Sequence, residues 1–309
     1  MRTPSKRVLA VLLGTLLLGA CQASGTPSEL PSASAVIKTP VSEPAPSLIP
    51  IGATATPRRL PTAAPSPAPT SAEAWQSWPV VPVVPMHVRE IFDRGQSLGN
   101  DAHAFSILGD CQSLPDNFLG VYDTQPSVVA SLPAQLQETV AYFAGTFNRE
   151  SPTIKSGTTA GALLWIEWHE GKYTCGPNET PVDCELRLHR PSFVVFNVGT
   201  HYESRNIDYL RRILDQLVAN GVVPILATKA DNRELDERIN LDMVTLAVEY
   251  DVPLWNFWAA TGDLPNRGLY TKTSEPHLGD IYLNEEGLQR HRFTALETLD
   301  VVRRTALGE

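Results

Sequence analysis

The sequence predicts an α/β fold in which helices cover both faces of a mostly parallel sheet, giving a three-layer α/β/α sandwich. Apolar runs rich in β-branched residues recur in the second half of the chain, without the alternation typical of a strand with one solvated face. Amphipathic segments, with apolar residues three and four positions apart, separate these runs. Strands buried on both faces and joined by right-handed helical crossovers build this sandwich.

The individual elements follow from the same two patterns. The segment 132–145 contains enough apolar residues to form a helix or a strand, but the spacing of these residues does not distinguish the two. In a parallel sheet of this kind, ligands bind at the carboxyl ends of the strands. The expected strands are 104–108, 192–198, 222–227 and 252–257, and the expected helices are 207–220, 235–250 and 293–302.

Length and composition limit the possible protein classes. The chain has 309 residues, of which 42% are hydrophobic and 19% are charged, with a formal net charge of −9. It is too apolar for a chain disordered throughout and too long for a disulfide-stapled miniprotein. The net negative charge argues against a nucleic-acid partner, because proteins that bind nucleic acid normally carry a basic patch. We expect one globular domain.

The first residues have the features of an export signal. Three basic residues within positions 1–7 precede an uncharged apolar run of 13 residues, 8–20, which is too short to span a membrane. The run ends in Leu-Gly-Ala before Cys21, which resembles a bacterial lipobox. That resemblance implies a signal peptide at 1–20, lipidation of Cys21 and anchoring through acyl chains. The alternative is an ordinary signal peptide followed by a chance cysteine.

A proline-rich tether is expected between the signal and the domain. Fourteen of the 26 prolines lie between residues 22 and 85, and the segment 21–74 consists mainly of Ser, Thr, Ala and Pro. Such a composition buries too little apolar surface to fold. We therefore assign 21–74 to a disordered tether and 75–309 to the domain, with residues 75–87 as a strap leading into it.

Three cysteines lie in the domain. Cys175 and Cys184 flank a Gly-Pro-Asn-rich loop, and an oxidising extracytoplasmic compartment would favour a disulfide between them. No His or Cys pair has metal-ligand spacing, so neither a metal nor another cofactor is expected. Cys111 follows Gly109-Asp110 at a predicted strand end, where a helix N-terminus would favour its thiolate; the alternative is a small buried thiol.

Four segments, in order, resemble the conserved blocks of the GDSL/SGNH hydrolases. The segment 105–113 (FSILGDCQS) runs from a strand into Gly-Asp-Cys, where the family has Gly-Asp-Ser. The segments 156–159 (SGTT) and 194–201 (VVFNVGTH) resemble the second and third blocks. The segment 276–278 (PHL) resembles the histidine block and is followed by a family-like string at 283–287. The resemblance covers about residues 88–305 and implies the same α/β fold.

The resemblance also implies a set of catalytic roles. Cys111 takes the place of the nucleophile, and His277 that of the general base. Glu275 or Ser274 would orient the imidazole, because Ser274 occupies the position of the family's aspartate. An alternative alignment places Asp280 and Tyr282 in this block and removes the histidine. We prefer His277, because the loop between the last predicted strand and this residue has the length expected for the family.

The oxyanion-binding groups implied by the family lie in the second and third blocks. Gly157 would offer its backbone N–H, although it is equally compatible with a plain turn glycine. His201 stands where the family has an asparagine donor, and a neutral imidazole donates one hydrogen bond with a different reach. Asp110 is expected to orient the turn rather than to react.

Two functions from different classes remain open. The first is an envelope-anchored esterase or acyltransferase that acts on O-acyl esters of carbohydrates, lipids or small molecules, with a thiol as nucleophile. The second is a catalytically inactive lipoprotein that binds cell-wall glycan or an envelope partner through the same cleft. In both, the domain is extracytoplasmic and reaches the membrane only through its lipid anchor. The sequence does not specify the oligomeric state.

Overall fold

A computed structural model of the chain describes residues 72, 74–201, 206–275 and 280–309. The expected signal peptide, Cys21 and nearly all of the tether lie outside these residues, as does His277. Within the described segments, no helix is both long enough and apolar enough to cross a membrane.

The sheet confirms the predicted fold class. In the described part of the chain, four parallel strands pair in the order β1-β2-β3-β4. Phe105 in the first strand is opposite Phe193 in the second, and every residue of the second, third and fourth strands is buried. The strands are β1 (Asp101–Gly109), β2 (Pro191–Asn197), β3 (Val223–Ala227) and β4 (Leu254–Trp255).

Helices cover both faces of this sheet. Sequential strand order with right-handed crossovers places the helices between consecutive strands on one face. The first and last long helices pack against each other and against the sheet, and so cover the other face. The α-helices in the described segments are α1 (His87–Leu98), α2 (Val121–Thr124), α3 (Pro126–Ala130), α4 (Ala134–Tyr142), α5 (Ala160–Leu163), α6 (Pro181–His189), α7 (Ile207–Ala219), α8 (Arg238–Tyr250), α9 (Phe257–Ala260) and α10 (Glu285–Leu307).

Local sequence determines where the longer helices begin. The Asn206 side chain accepts a hydrogen bond from the Asp208 N–H at the start of α7, and Asn284 accepts one from the Gly287 N–H at the start of α10. Both are standard N-cap interactions of asparagine. The buried face of α7 has the expected three- and four-residue spacing and consists of Leu210, Ile213, Leu214 and Leu217.

The strap at residues 75–87 packs alongside the last strand. Trp75 is buried, and its ring lies 5.1 Å from that of Trp258 in an edge-to-face arrangement. The Asn256 side chain donates to the carbonyls of Trp75 (2.9 Å) and Trp78 (3.2 Å). The backbone N–H of Asn256 donates to the Val80 carbonyl at 3.0 Å. The strap is therefore bonded to the end of β4.

Several elements differ from the sequence expectation. The last strand is shorter than 252–257, because Asn256 leaves the ladder to bond the strap and to cap α9. The ambiguous segment 132–145 contains the helix α4. The final helix begins eight residues before the expected 293, because its first turns are largely solvent-exposed and lack an apolar period. The helix α1 was not predicted.

Candidate functional site

The first and third sequence blocks meet at the carboxyl edge of the sheet. Gly109 and Asn197 are opposite each other at the ends of β1 and β2. Because the two strands are parallel, the chain leaves both at the same edge, where ligands bind in such sheets. The turn that holds Asp110 and Cys111 therefore lies against the segment that holds Thr200 and His201.

Asp110 joins these two segments. Its carboxylate accepts hydrogen bonds from the backbone N–H groups of Gln112, Gly199 and Thr200, each at 3.1 Å, and from the Thr200 hydroxyl at 2.9 Å. Burial raises the pKa of Asp110, whereas the hydrogen bonds from Thr200 and Gln112, and the nearby His201, act to lower it. Asp110 thus links the turn after the first strand to the segment after the second.

Cys111 is the first residue of a 3₁₀ turn at Cys111–Ser113, for which Asp110 is the N-cap. Only 2% of the residue is exposed, and its Sγ lies 3.9 Å from the Thr200 hydroxyl oxygen. The Asn117 side chain donates to its carbonyl at 3.3 Å. The sulfur therefore sits between the first and third blocks, largely covered by protein.

The second block lies beside the end of β1. The Gly109 N–H donates to the Thr153 carbonyl at 3.0 Å, and Gly109 pairs with Ile154 as an isolated parallel bridge. Gly157 follows three residues later with a φ of +85°, a backbone conformation that favours glycine. Three of the four blocks therefore converge at one edge of the sheet.

The fourth block is described only at its flanks. The Ser274 side chain is engaged in a local turn, exchanging hydrogen bonds of 2.9–3.1 Å with Thr271. The backbone N–H of Glu275 donates to the Thr271 carbonyl at 2.9 Å. Beyond the undescribed residues 276–279, the Ile281 carbonyl accepts a hydrogen bond from the Gln112 side chain.

The third-block histidine lies at the rim of the site. His201 is partly buried and lines a small cavity together with Gly199, Thr159 and Met243. Its neighbour Thr200 contacts both Asp110 and the Cys111 sulfur. Thr200 is therefore more central to the observed geometry than His201, although the sequence reasoning did not select it.

A buried histidine supports the site from behind. The Asn197 side chain donates to Ser113 Oγ and to His291 Nε2, both at 3.1 Å. His291 is fully buried, and burial lowers its pKa to about 3. The ring is therefore neutral, with Nε2 accepting and the proton on Nδ1. Three aromatic rings, 4.3–5.0 Å away between centroids, surround it: Phe118, Trp255 and Phe257.

A buried charge cluster lies on the other side of the third block. Lys229 Nζ contacts Asp231 Oδ1 at 2.7 Å and Glu234 Oε2 at 2.6 Å, and all three side chains are at most 3% exposed. Burial raises the pKa of Asp231, and the negative charge of Asp110 contributes to this effect. The adjacent Arg233 donates to the Thr200 carbonyl at 3.1 Å. This cluster therefore braces the segment that Asp110 binds.

An aromatic groove borders Gly157. It has a volume of about 750 Å³, and its lining includes Trp165, Trp168, Tyr209 and Arg212. Sequence reasoning did not select these residues, because they come from separate segments and match no family motif. Two large aromatic residues in a loop segment without a hydrophobic period were the available signal.

The remaining site expectations concern a disulfide and metals. Cys175 and Cys184 form a disulfide, with Cα atoms 5.3 Å apart. Among the residues whose placement is described, no three His, Cys, Asp or Glu side chains cluster as a metal site requires.

Comparisons with known proteins add a distant structural similarity. The chain is similar to a GDSL-like lipase from Bacteroides thetaiotaomicron, with 16% sequence identity and a TM-score of 0.38. The match covers 71% of this chain and 98% of the lipase chain. No protein-family model matches the sequence, and no curated protein matches it.

Proposed function

We propose that this protein is a thiol-dependent ester hydrolase or acyltransferase anchored at the cell envelope. Cys111 is the nucleophile and His277 is the general base. The substrates are O-acyl esters, including acylated carbohydrates.

The convergence of the first three blocks is the observation that carries this proposal. The Asp110 carboxylate ties the Cys111 turn to Gly199 and Thr200, and the chain that pairs with Gly109 leads directly to Gly157. A nucleophile at a strand end, beside a glycine-containing turn, is the arrangement that acyl transfer requires.

A segment that follows the histidine block is bonded to the Cys111 turn. Gln112, the residue after Cys111, donates a side-chain hydrogen bond to the Ile281 carbonyl. Because Ile281 is four residues after His277 in the sequence, this contact supports the choice of His277 as the base.

The proposed reaction proceeds through a thioester. Cys111 Sγ attacks the ester carbonyl carbon as His277 takes the thiol proton. The backbone N–H groups of Cys111 and Gly157 stabilise the oxyanion, with His201 as a further donor. The tetrahedral adduct expels the alcohol, which takes the proton back from the imidazolium. Water, or an acceptor alcohol, then attacks the thioester carbonyl while His277 takes its proton. The C–S bond breaks, the acid or the new ester is released, and the Cys111 sulfur takes the proton back from the imidazolium.

The cellular location is part of the same proposal. The apolar run at 8–20 and its small residues before Cys21 support cleavage at Cys21 and acylation of its sulfur and new N-terminus. Two or more acyl chains hold a protein stably at a membrane, where one chain binds only marginally. The proline-rich segment 21–74 would then separate the domain from the lipid surface.

The test is hydrolysis of p-nitrophenyl acetate and of an acetylated glycan. We expect turnover that is lost, by at least 100-fold, in Cys111→Ala and in His277→Ala. The matched controls are Ser97→Ala, which changes an exposed helix hydroxyl, and His87→Ala, which changes a partly exposed helix residue. Turnover that survives both the Cys111 and the His277 changes contradicts the proposal.

The burial of Cys111 favours a second candidate, an inactive envelope protein that binds a glycan or a partner. A thiol that is 98% covered and next to the Asp110 carboxyl is poorly placed to react. Iodoacetamide labelling of the folded protein separates the two candidates. Rapid alkylation of Cys111 supports the enzyme, and protection until unfolding supports the binding protein.

A further inference from the structure

We propose that the groove lined by Trp165, Trp168, Tyr209 and Arg212, here called the aromatic groove, binds an acidic oligosaccharide. This proposal adds a ligand-binding site beside the acyl-transfer site. Where the proposed function holds, an acidic oligosaccharide is also the class of its substrate. The test measures binding, so its result does not depend on catalysis.

The groove exposes aromatic faces where a soluble domain normally buries them. Trp165 is 52% exposed and Tyr209 is 36% exposed. The rings of Trp165 and Trp168 are 6.4 Å apart between centroids and inclined by 34°. The two indole rings are therefore neighbours in the groove lining, tilted relative to each other. The C–H faces of successive pyranose rings match such a surface.

Trp168 is held in place rather than mobile. Its indole N–H donates to the Thr158 hydroxyl at 3.3 Å, and Lys155 Nζ lies 4.5 Å from its ring centroid. A preorganised aromatic side chain loses little conformational entropy when a ligand binds. Gly161 contributes in a similar way, because a β-carbon there would lie 3.2 Å from the Tyr209 ring. The absence of a side chain at Gly161 therefore lets Tyr209 lie close to the groove floor.

Polar groups in the groove lining favour a saccharide ligand over a lipid. Thr159 and Asn206 line the groove and offer hydrogen-bonding groups to sugar hydroxyls. An acyl chain would instead require a closed, largely apolar lining. Arg212 is the charged residue of this lining, and a guanidinium binds a carboxylate with two parallel hydrogen bonds. In a chain of net charge −9, this local positive charge favours an acidic sugar.

The groove continues to the acyl-transfer site. Gly157 lines it, and a β-carbon on Gly157 would lie 3.9 Å from the Trp168 ring. The same glycine offers the proposed oxyanion N–H. A sugar held on Trp168 would therefore present substituents toward the carboxyl edge of the sheet. The groove has a volume of about 750 Å³, which is large enough for several sugar units.

The experiment measures binding by calorimetry with the Cys111→Ala variant of the full chain, so that no turnover interferes. The probes are an oligogalacturonate, a hyaluronan oligosaccharide and peptide-free glycan strands of peptidoglycan. Neutral cello-oligosaccharides and short-chain phospholipid micelles serve as comparisons. We expect at least one acidic probe to bind, with a Kd that rises at least 10-fold in Trp165→Ala and in Trp168→Ala.

Arg212→Gln should weaken binding of the acidic probe at least 5-fold and reduce its salt dependence, while leaving neutral probes unaffected. The matched controls, Phe293→Ala for an exposed aromatic residue and Arg94→Gln for an exposed arginine, should bind as the parent does. Binding of none of the acidic probes, equal binding by all variants, or a preference for micelles overturns the inference. Saccharide binding without ester turnover supports the inference and contradicts only the proposed enzyme activity.

Discussion

The Asp110 carboxylate accepts hydrogen bonds from both the backbone N–H and the hydroxyl of Thr200, which is 90 residues further along the chain. This link holds the turn after β1 against the segment after β2. The same Thr200 hydroxyl lies beside the Cys111 sulfur. The Asp110 carboxylate therefore helps to set the geometry around the thiol.

Removing this carboxylate should destabilise the domain. Asp110→Ala would leave the N–H groups of Gln112, Gly199 and Thr200 without their buried acceptor, at a cost of about 1–3 kcal/mol for each unsatisfied group. We expect the free energy of unfolding, measured in urea, to fall by about 3 kcal/mol. Asp110→Asn, which keeps one acceptor oxygen, should lose less. The exposed Asp116→Ala is the control, and equal effects at the two positions would contradict this account.

The Lys229 cluster should be sensitive to loss of its cation. Lys229→Met would leave Asp231 and Glu234 buried without a counter-charge, and breaking a buried ion pair in this way costs about 3–5 kcal/mol. A comparable loss of unfolding free energy is expected in a denaturant titration. Lys272→Met changes an exposed lysine and should have almost no effect. A stable Lys229→Met protein would show that the cluster does not brace the third block.

His291 should make the domain sensitive to acid. Burial lowers its pKa from 6.5 to about 3, so the folded state does not take up the proton that the unfolded state binds below pH 6.5. Stability is therefore complete above pH 6.5 and falls as the pH is lowered toward 3. Between pH 6.5 and 4.5, this one group should cost about 2 kcal/mol.

The His291 prediction is tested with a neutral replacement. His291→Gln keeps an acceptor for Asn197 and should flatten the pH dependence of the urea midpoint between pH 6.5 and 4.5. Gln289→Ala, which changes an exposed uncharged residue of the same helix, should leave the parent's slope unchanged. Parallel curves for the parent and His291→Gln would mean that another group controls acid unfolding.

The disulfide between Cys175 and Cys184 should make a moderate contribution to stability. It closes a loop of nine residue steps, for which the chain-entropy model gives about 2–3 kcal/mol. Reduction with dithiothreitol, or a Cys175→Ser/Cys184→Ser double variant, should lower the unfolding free energy by that amount. The double variant should not respond to reductant. A response would point to a reducible group elsewhere.

The sequence was sufficient for the fold class because buried strands and amphipathic helices leave strong periodic patterns. The patterns at 192–198 and 207–220 correspond closely to β2 and α7. The ends of elements were harder, because contacts between distant residues decide them. β4 ends at Trp255 since Asn256 bonds the strap, and that strap begins about 180 residues earlier.

The candidate site was predictable in part for a similar reason. Short motifs marked Asp110, Cys111, Gly157 and His201, because each motif is local. The aromatic groove draws residues from separate segments, so no single motif reveals it. The Lys229 cluster lies within residues 229–234, but it matches no family motif and was not selected. The roles of His277 and Glu275 in the fourth block stay predictions.

The hydrogen bonds between the strap and Asn256 have a mechanical consequence. A pull on the chain before Trp75 acts first on the contacts that Asn256 makes with Trp75, Trp78 and Val80, at the end of β4. Tension would therefore be carried into the central sheet and shared with the buried Trp75 side chain, instead of peeling α1 away from the surface. In a chain held from its N-terminal side, as proposed, load would reach the sheet through Asn256 before it reached α1.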